Sequence, residues 1–411
     1  MLGTSRRRSP PACEAGTLTR IIGLAARGDG IADDGSFHAQ AAPGDIVRDD
    51  GAIEPGPHHA TPSCPHYGLC GGCQLQHVDD TAFASFLRDR IRSALAAQGT
   101  SFDRFLDSHI SPSRSRRRVS LTAERKGRAV RLGFNEASTH RIVDLRSCAV
   151  IDARLEAMLP PLRRLLQTIL PERNRATVRM TCADQGTDLL LAGVDVEGLA
   201  AAEALMAFAE EHRLARLSVD EGYGPSARWE PEPVTVTLGQ IAVPLPEGAF
   251  LQATREGEAV LVAEVRSAVE GRRAVADLFA GLGTFALSLD APVHAVEGAR
   301  EAILALQTGA RRAGKAVSCE HRDLFRRPLT AEELDRFDAV ILDPPRTGAR
   351  EQVEQLARSN LLCIAYVSCN PSTFARDATR LVDAGYSMGP IRPVGQFRWS
   401  THVELAATFS R

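Results

Sequence analysis

In the stretch LCIAYVSCNPSTFARD, Cys369 stands where an apolar run ends at Asn370 and Pro371. Ligands of open α/β sheets lie beyond the carboxyl ends of the strands, so a thiol at such an end faces the place where chemistry is done. One reaction requires a sulfur nucleophile there. C5 of uracil accepts a methyl group only after a thiolate has added at C6 and made C5 electron-rich. The C5 proton must then be removed so that the thiol can leave. Glu404, in THVELAATFSR, is the candidate base, since a carboxylate suffices for a proton already acidified by the neighbouring carbonyl.

A second group of thiols has a different spacing. CPHYGLCGGCQLQH places Cys64, Cys70 and Cys73 as C-x5-C-x2-C, and Cys148 follows far downstream in LRSCAVI. Such crowding favours metal binding over a disulfide framework. Four thiolates can hold tetrahedral zinc or an iron-sulfur cluster, and spacing alone does not choose between them. The glycines Gly71 and Gly72 bring backbone N–H groups close to sulfur, which suits a cluster better. Cys13, Cys182, Cys319 and Cys363 stand apart and read as small hydrophobic residues.

Carboxylates surround a glycine turn in the same half of the chain as Cys369. DLFAGLGTFALSL puts Asp277 near a strand end, then Gly281 and Gly283 in a tight turn, then a helix expected from Thr284. Ala286 occupies the position where a dinucleotide fingerprint needs its third glycine, so a cofactor without a pyrophosphate, such as S-adenosyl methionine, fits better. Glu297, after the next apolar run, is placed to accept ribose hydroxyls, and Asp323, after the third, to reach an adenine amine. Asp343 closes the fourth run and is followed by two prolines that fix the chain beside the cofactor.

The elements that must position these groups are legible from about residue 258 onward. AVADLF, PVHAVE, AVSCEH, FDAVILD and LCIAYVSC are short apolar runs separated by helical stretches, the grammar of a doubly wound parallel sheet. Upstream, four regions are expected: a flexible N-terminus (1–16), a small β module (17–55), a central α+β domain carrying the cysteines (56–245), and the doubly wound domain (246–411). Phe83, Phe86, Leu87, Ile91 and Leu95 recur at helical spacing in the central segment. SPSRSRRRVSL, with Arg114, Arg116, Arg117 and Arg118, is the basic stretch expected to meet phosphates. With 411 residues and a net charge of -2, any nucleic acid must be held by such a local patch. No apolar run is long enough to span a membrane and no apolar leader follows the basic start, so a cytoplasmic location is expected.

DLFAGLGTF, ILDPPRTGA, VSCNPSTFARD and HVE, in that order, with FLQATREGE upstream, closely resemble the S-adenosyl-methionine-dependent RNA uracil-5-methyltransferases, in particular their iron-sulfur branch acting on 23S rRNA. The resemblance implies a class I (Rossmann-like) methyltransferase domain, with Cys369 as nucleophile and Glu404 as base. It implies a cofactor site lined by Gln252, Phe279, Gly281, Thr284, Glu297, Asp323 and Asp343, with Phe250 and Gln252 near the target base. Cys64, Cys70, Cys73 and Cys148 are implied ligands of a [4Fe-4S] cluster, in preference to zinc, and the β module an OB/TRAM-like fold. The implied partner is structured RNA, ribosomal in preference to transfer RNA, with no membrane and no obligate protein partner. A tRNA uracil-5-methyltransferase and a non-catalytic iron-sulfur RNA-binding protein are the alternatives. The chain departs from the family in Thr284, where Asn is usual, and in FRWSTHVE, where Phe-Pro-His-Thr is common.

Overall fold

Alternating apolar and polar residues between Thr19 and Glu54 build five short antiparallel strands around Ile21, Ala32, Ala41 and Val47. The computed structural model describes residues 18–137 and 139–411, so the segment 1–16 and Cys13 lie outside the described residues. The strand order runs from Phe37–His38 through Gly30–Ala32, Thr19–Leu24 and Ile46–Val47 to Ile53–Glu54. A buried carboxylate, Asp45, fastens this module to the next segment. It accepts from the amides of Ala42 and Gly56, each at 2.7 Å, and meets His59 Nδ1 at 2.7 Å. The linker is therefore packed, and a Cβ at Gly56 would collide with the Gly44 carbonyl.

The central domain is a six-stranded sheet ordered Pro225–Trp229, Arg216–Asp220, Thr187–Ala192, Arg175–Cys182, Arg118–Lys126 and Ala129–Gly133. Only Thr187–Ala192 and Arg216–Asp220 run parallel, because the helix Leu199–Glu211 carries the chain back between them. The helix Leu159–Ile169 presents Leu162, Leu166 and Ile169 to this sheet's core.

The sheet of the C-terminal domain has eight strands, ordered Val317–His321, Val293–Glu297, Val275–Leu278, Ala339–Leu342, Cys363–Ser368, Glu404–Ser410, Ser387–Gly395 and His109–Ile110. The first five are parallel, as the apolar runs predict, and Glu404–Ser410 enters antiparallel beside Cys363–Ser368. Strand order reverses at Val275–Leu278, which opens a crevice at the carboxyl ends.

Two expectations need correction. The helix Asp80–Ala96 forms, capped by Asp79 accepting from the Ala82 amide, but it does not join the central sheet. Its buried face (Phe83, Leu87, Ile91) shares a core with Phe374, Leu381, Ile391 and Phe409, and the strand His109–Ile110 that follows extends the C-terminal sheet. The sequence boundary at 246 thus splits a unit that the fold assembles from both sides. The helix expected from Thr284 is only a short 3-10 turn, Ala286–Ser288, because the next strand already begins at Val293.

Candidate active site

Cys369 follows directly on the strand Cys363–Ser368, and Asn370-Pro371 begins a helix. Asn370 caps that helix by accepting from the Ser372 amide at 3.1 Å, and Pro371 occupies the first turn, where no N–H is needed. The cap stops the strand and leaves Cys369 at its end. Antiparallel pairing then matches Ser368 with Leu405, so the next residue on one side is Cys369 and on the other Glu404. Register alone brings the two sequence-predicted catalytic groups to one point.

The Asp-Pro-Pro loop is locked to this pair. The Arg346 carbonyl accepts from Asn370 Nδ2 at 2.9 Å, and the amide of Ala349 donates to Asp377 at 2.9 Å. Tyr366 Oη also donates to Asp377, at 2.8 Å. Gly348, at φ 78°, lies under Arg376 and Asp377, where a side chain would not fit.

Electrostatics mark the cleft. Burial pushes Glu404 up to about 7, against the pull of Arg346 and Arg118. Asp277, fully buried, is pushed to about 7 by burial and then by Glu297, although the Ala286 amide donates to its Oδ2 at 3.0 Å. Its Oδ1 has no partner. Asp343 is raised well above the carboxylate range by burial and by Glu404, Asp277 and Glu297. Four carboxyl groups crowding one crevice are a site that favours a cation. Burial, then Glu404 and Asp343, pushes the Cys369 thiol up to about 11, with Arg346 opposing. A thiol so raised is a poor nucleophile, and positive charge brought in with a ligand would lower it.

The remaining predicted residues line the same edge. Glu297 accepts from the amides of Gly281 (2.9 Å) and Ala299 (2.6 Å), which fixes the glycine turn. Asp323 accepts from the Phe325 amide at 3.0 Å. Phe279 has φ 63°, a left-handed conformation rare for an aromatic residue, and its ring centroid lies 5.4 Å from that of Phe325. Thr284 is half-buried in the same turn. Gln252 is 4% exposed and donates from Nε2 to Asp343 Oδ2 at 3.4 Å. Phe250 is exposed beneath the Arg118 guanidinium, 4.4 Å from its ring centroid.

Arg118, Arg346 and Phe325 belong to this site although sequence reasoning assigned them no role in it. Arg346 carried the only usable signal, its place directly after the two prolines. The basic stretch as a phosphate-binding block needs correction. Arg116 and Arg118 both line one open groove, and Arg116, over the Phe397 ring at 5.0 Å, also lines the cavity of the four cysteines. Arg117 points the other way, 1% exposed, donating to the Gln252 carbonyl at 2.9 Å and paired with Glu258. It ties the central domain to the FLQATREGE segment and is buried out of reach of a phosphate backbone.

Cys64, Cys70, Cys73 and Cys148 line a single enclosed cavity whose walls include Phe134 and Leu145. Burial pushes Cys73 up to about 12 and raises Cys70 and Cys148, with neighbouring thiols adding to the rise in all three. Among the described residues, no group of three or more His, Cys, Asp or Glu forms a ready metal site. The cysteine segment also grips the loop leading to Glu404: the amides of Gln74 and Leu75 donate to the Trp399 carbonyl at 2.8 and 2.9 Å. No helix among the described residues is long and apolar enough to cross a membrane.

Residues 245–411 match the family model described as tRNA (Uracil-5-)-methyltransferase. A protein of Zymomonas mobilis named as an uncharacterized RNA methyltransferase is 50% identical over 396 residues, 96% of this chain and 100% of that one. A 23S rRNA (uracil(1939)-C(5))-methyltransferase, RlmD, of Chromohalobacter salexigens is 30% identical, across 100% of this chain and 92% of that protein. Among solved structures, Pyrococcus abyssi tRNA (uracil-54, C5)-methyltransferase in complex with S-adenosyl-L-homocysteine matches with a TM-score of 0.70. It covers 96% of this chain and 100% of its own, and at 22% identity the match bears on the fold.

Proposed function

This chain belongs to the RNA uracil-5-methyltransferase family, and on that premise we propose that it methylates C5 of a uridine in 23S rRNA through a covalent bond between Cys369 and C6. The observation that carries the covalent mechanism is the register that sets Cys369 and Glu404 side by side. The choice of ribosomal RNA is supported by the relative named for that substrate.

The cleft's chemistry fits S-adenosyl methionine, whose cationic sulfonium supplies the methyl group. Crowded carboxyl groups and an unpartnered Asp277 oxygen are the features a positively charged ligand would relieve. Gln252, Phe279, Gly281, Thr284, Glu297, Asp323 and Asp343 would hold it. On the base, the Cys369 thiolate forms an S–C6 bond and pushes the C5=C6 electron pair toward the C4 carbonyl as an enolate. C5 then takes up the methyl group, the electron pair of the broken methyl–sulfur bond staying on the sulfur, which leaves as a neutral thioether. Glu404 removes the C5 proton, the electrons return to form C5=C6, and the S–C6 bond breaks. Arg346, which opposes the rise in the Cys369 pKa, favours the thiolate that starts the sequence.

Cys64, Cys70, Cys73 and Cys148 are read as ligands of a [4Fe-4S] cluster, supported by four thiols around one apolar-walled cavity. Residues 17–55 are read as an OB/TRAM-like module and 56–245 as the cluster-bearing, RNA-contacting domain, with the cytoplasm as the location.

The test is incubation with cofactor and transcripts containing 5-fluorouridine, whose fluorine cannot leave as a proton does. A covalent adduct mapped to Cys369 on ribosomal transcripts is expected. An adduct on transfer RNA alone would reassign the substrate, and none on either would overturn the covalent mechanism. Visible absorption and iron lost on Cys70→Ser are expected for the cluster, and stoichiometric zinc would overturn it.

A further inference from the structure

We propose that Gln396 fixes the orientation of the Gln252 amide and thereby makes the cleft select uracil over cytosine, an inference that rests on reading Gln252 as near the target base and that assigns the Asp343 carboxyl touching it to the same edge of the base as well as to the cofactor. Gln396 is 1% exposed. Its Oε1 accepts from the backbone amides of Ala253 at 2.8 Å and Thr254 at 3.3 Å. Backbone N–H groups can only donate, so the atom facing them must be the amide oxygen. The other end of the same side chain is then the NH2 group, and it donates to Gln252 Oε1 at 2.8 Å. With its oxygen engaged, Gln252 can turn only its own NH2 toward Asp343 Oδ2, 3.4 Å away. Two backbone amides thus dictate the polarity of a side chain two links away.

The slot that holds Gln396 is made by a glycine. Gly257 sits in the first turn of the helix Arg255–Ala268, and a Cβ there would collide with Gln396 Cγ. Its backbone is helical, so conformational freedom is not what that position needs; space is.

The consequence is a donor beside an acceptor: the Gln252 N–H next to Asp343 Oδ2, which that N–H keeps as the accepting oxygen whether or not the carboxyl carries a proton. Uracil offers the complementary pair, the O4 acceptor next to the N3–H donor. Cytosine offers an N4 amine donor next to an unprotonated N3, so both contacts would be opposed. If the Gln252 amide were free to flip, the cleft would lose most of that distinction.

The experiment uses a transcript that the wild-type protein methylates and a copy with cytidine at the methylated position, binding both in the presence of S-adenosyl-L-homocysteine. Gln396→Met removes the polar relay at nearly constant length, and Gly257→Ala displaces the same side chain from a different element. Each should narrow the ratio of cytidine to uridine dissociation constants by about tenfold, the worth of one well-made hydrogen bond. A general loosening of the cleft would weaken both RNAs alike and leave the ratio unchanged, which overturns the proposal. Gly257→Ala keeps the test decisive if Gln396→Met does not fold. Gln252→Ala separates the two levels of inference. A ratio narrowed by Gln252→Ala but by neither of the other variants refutes the role of Gln396 alone. A ratio untouched by Gln252→Ala refutes the base-facing reading beneath it.

Discussion

Glu404→Gln should speed the first half of the reaction and block the second. Glu404 and Asp343 are the two charges that help burial lift the Cys369 thiol from 9.0 to about 11. The whole rise is at most about 3 kcal/mol, and water reaching the half-buried thiol screens part of it. At about pH 8 roughly one thiol in a thousand is then ionised. Removing the Glu404 charge should return up to about one of those two pK units, raising the thiolate population roughly tenfold. The assay is alkylation of Cys369 by iodoacetamide, without RNA or cofactor, across the pH range. Because Glu404 itself titrates at about 7, the variant should outpace the wild type above that pH and match it at about pH 6, where both side chains are neutral. With uridine RNA and cofactor the variant should turn over about a hundredfold or more slowly and accumulate the covalent adduct, since the base is gone. Equal alkylation rates at every pH would refute the electrostatic account. Turnover within a few-fold of wild type would refute Glu404 as the base.

The same raised carboxyl groups make the stability of the free protein pH-dependent. Asp277 and Glu404 have folded-state values of about 7 against ordinary values of 3.8 and 4.5. Their contribution is present below about pH 4 and lost as pH rises through about 7, by an upper limit of roughly 3 to 4 kcal/mol each. Tm should therefore fall between about pH 4 and pH 7, less so in Glu404→Gln and less so with S-adenosyl methionine bound; slopes identical in all three would contradict this. Arg117→Ala, which leaves Glu258 without its buried partner, should cost about 3 to 5 kcal/mol in urea unfolding. A loss below about 1 kcal/mol would reclassify that pair as a surface contact. Gly283→Ala places a Cβ against Leu306 at φ 93°, so calorimetry should show cofactor binding weakened by tenfold or more; wild-type affinity would mean the turn can relax.

Local pattern carried a large part of this. Buried parallel strands read as continuous apolar runs because both faces are covered, and those at Val275–Leu278, Ala339–Leu342 and Cys363–Ser368 lie where the sequence predicts them. The helix Asp80–Ala96 was equally legible, since its apolar residues recur at helical spacing, but a stripe names no partner. It packs on the C-terminal sheet because that is where Phe374 and Ile391 offer a matching apolar surface. The arginine stretch misleads for a related reason. Successive residues of an extended chain point to opposite sides, so Arg116 and Arg118 share a groove while Arg117 turns inward to Glu258.

Sequence by itself determined the chemical inventory: a thiol at a strand end, a glycine turn with acids after successive strands, and a cysteine set of C-x5-C-x2-C with one distant member. It determined them because strand ends, turns and residue types are local properties. The fold decided everything that depends on distance across the chain. Antiparallel register set Glu404 beside Cys369, burial raised Asp277, Asp343 and Glu404, and the Cys64–Cys73 segment came to hold the Trp399 loop. Burial, mutual charge and hydrogen-bond polarity belong to pairs of groups, and pairs far apart in sequence exist only once the chain has folded.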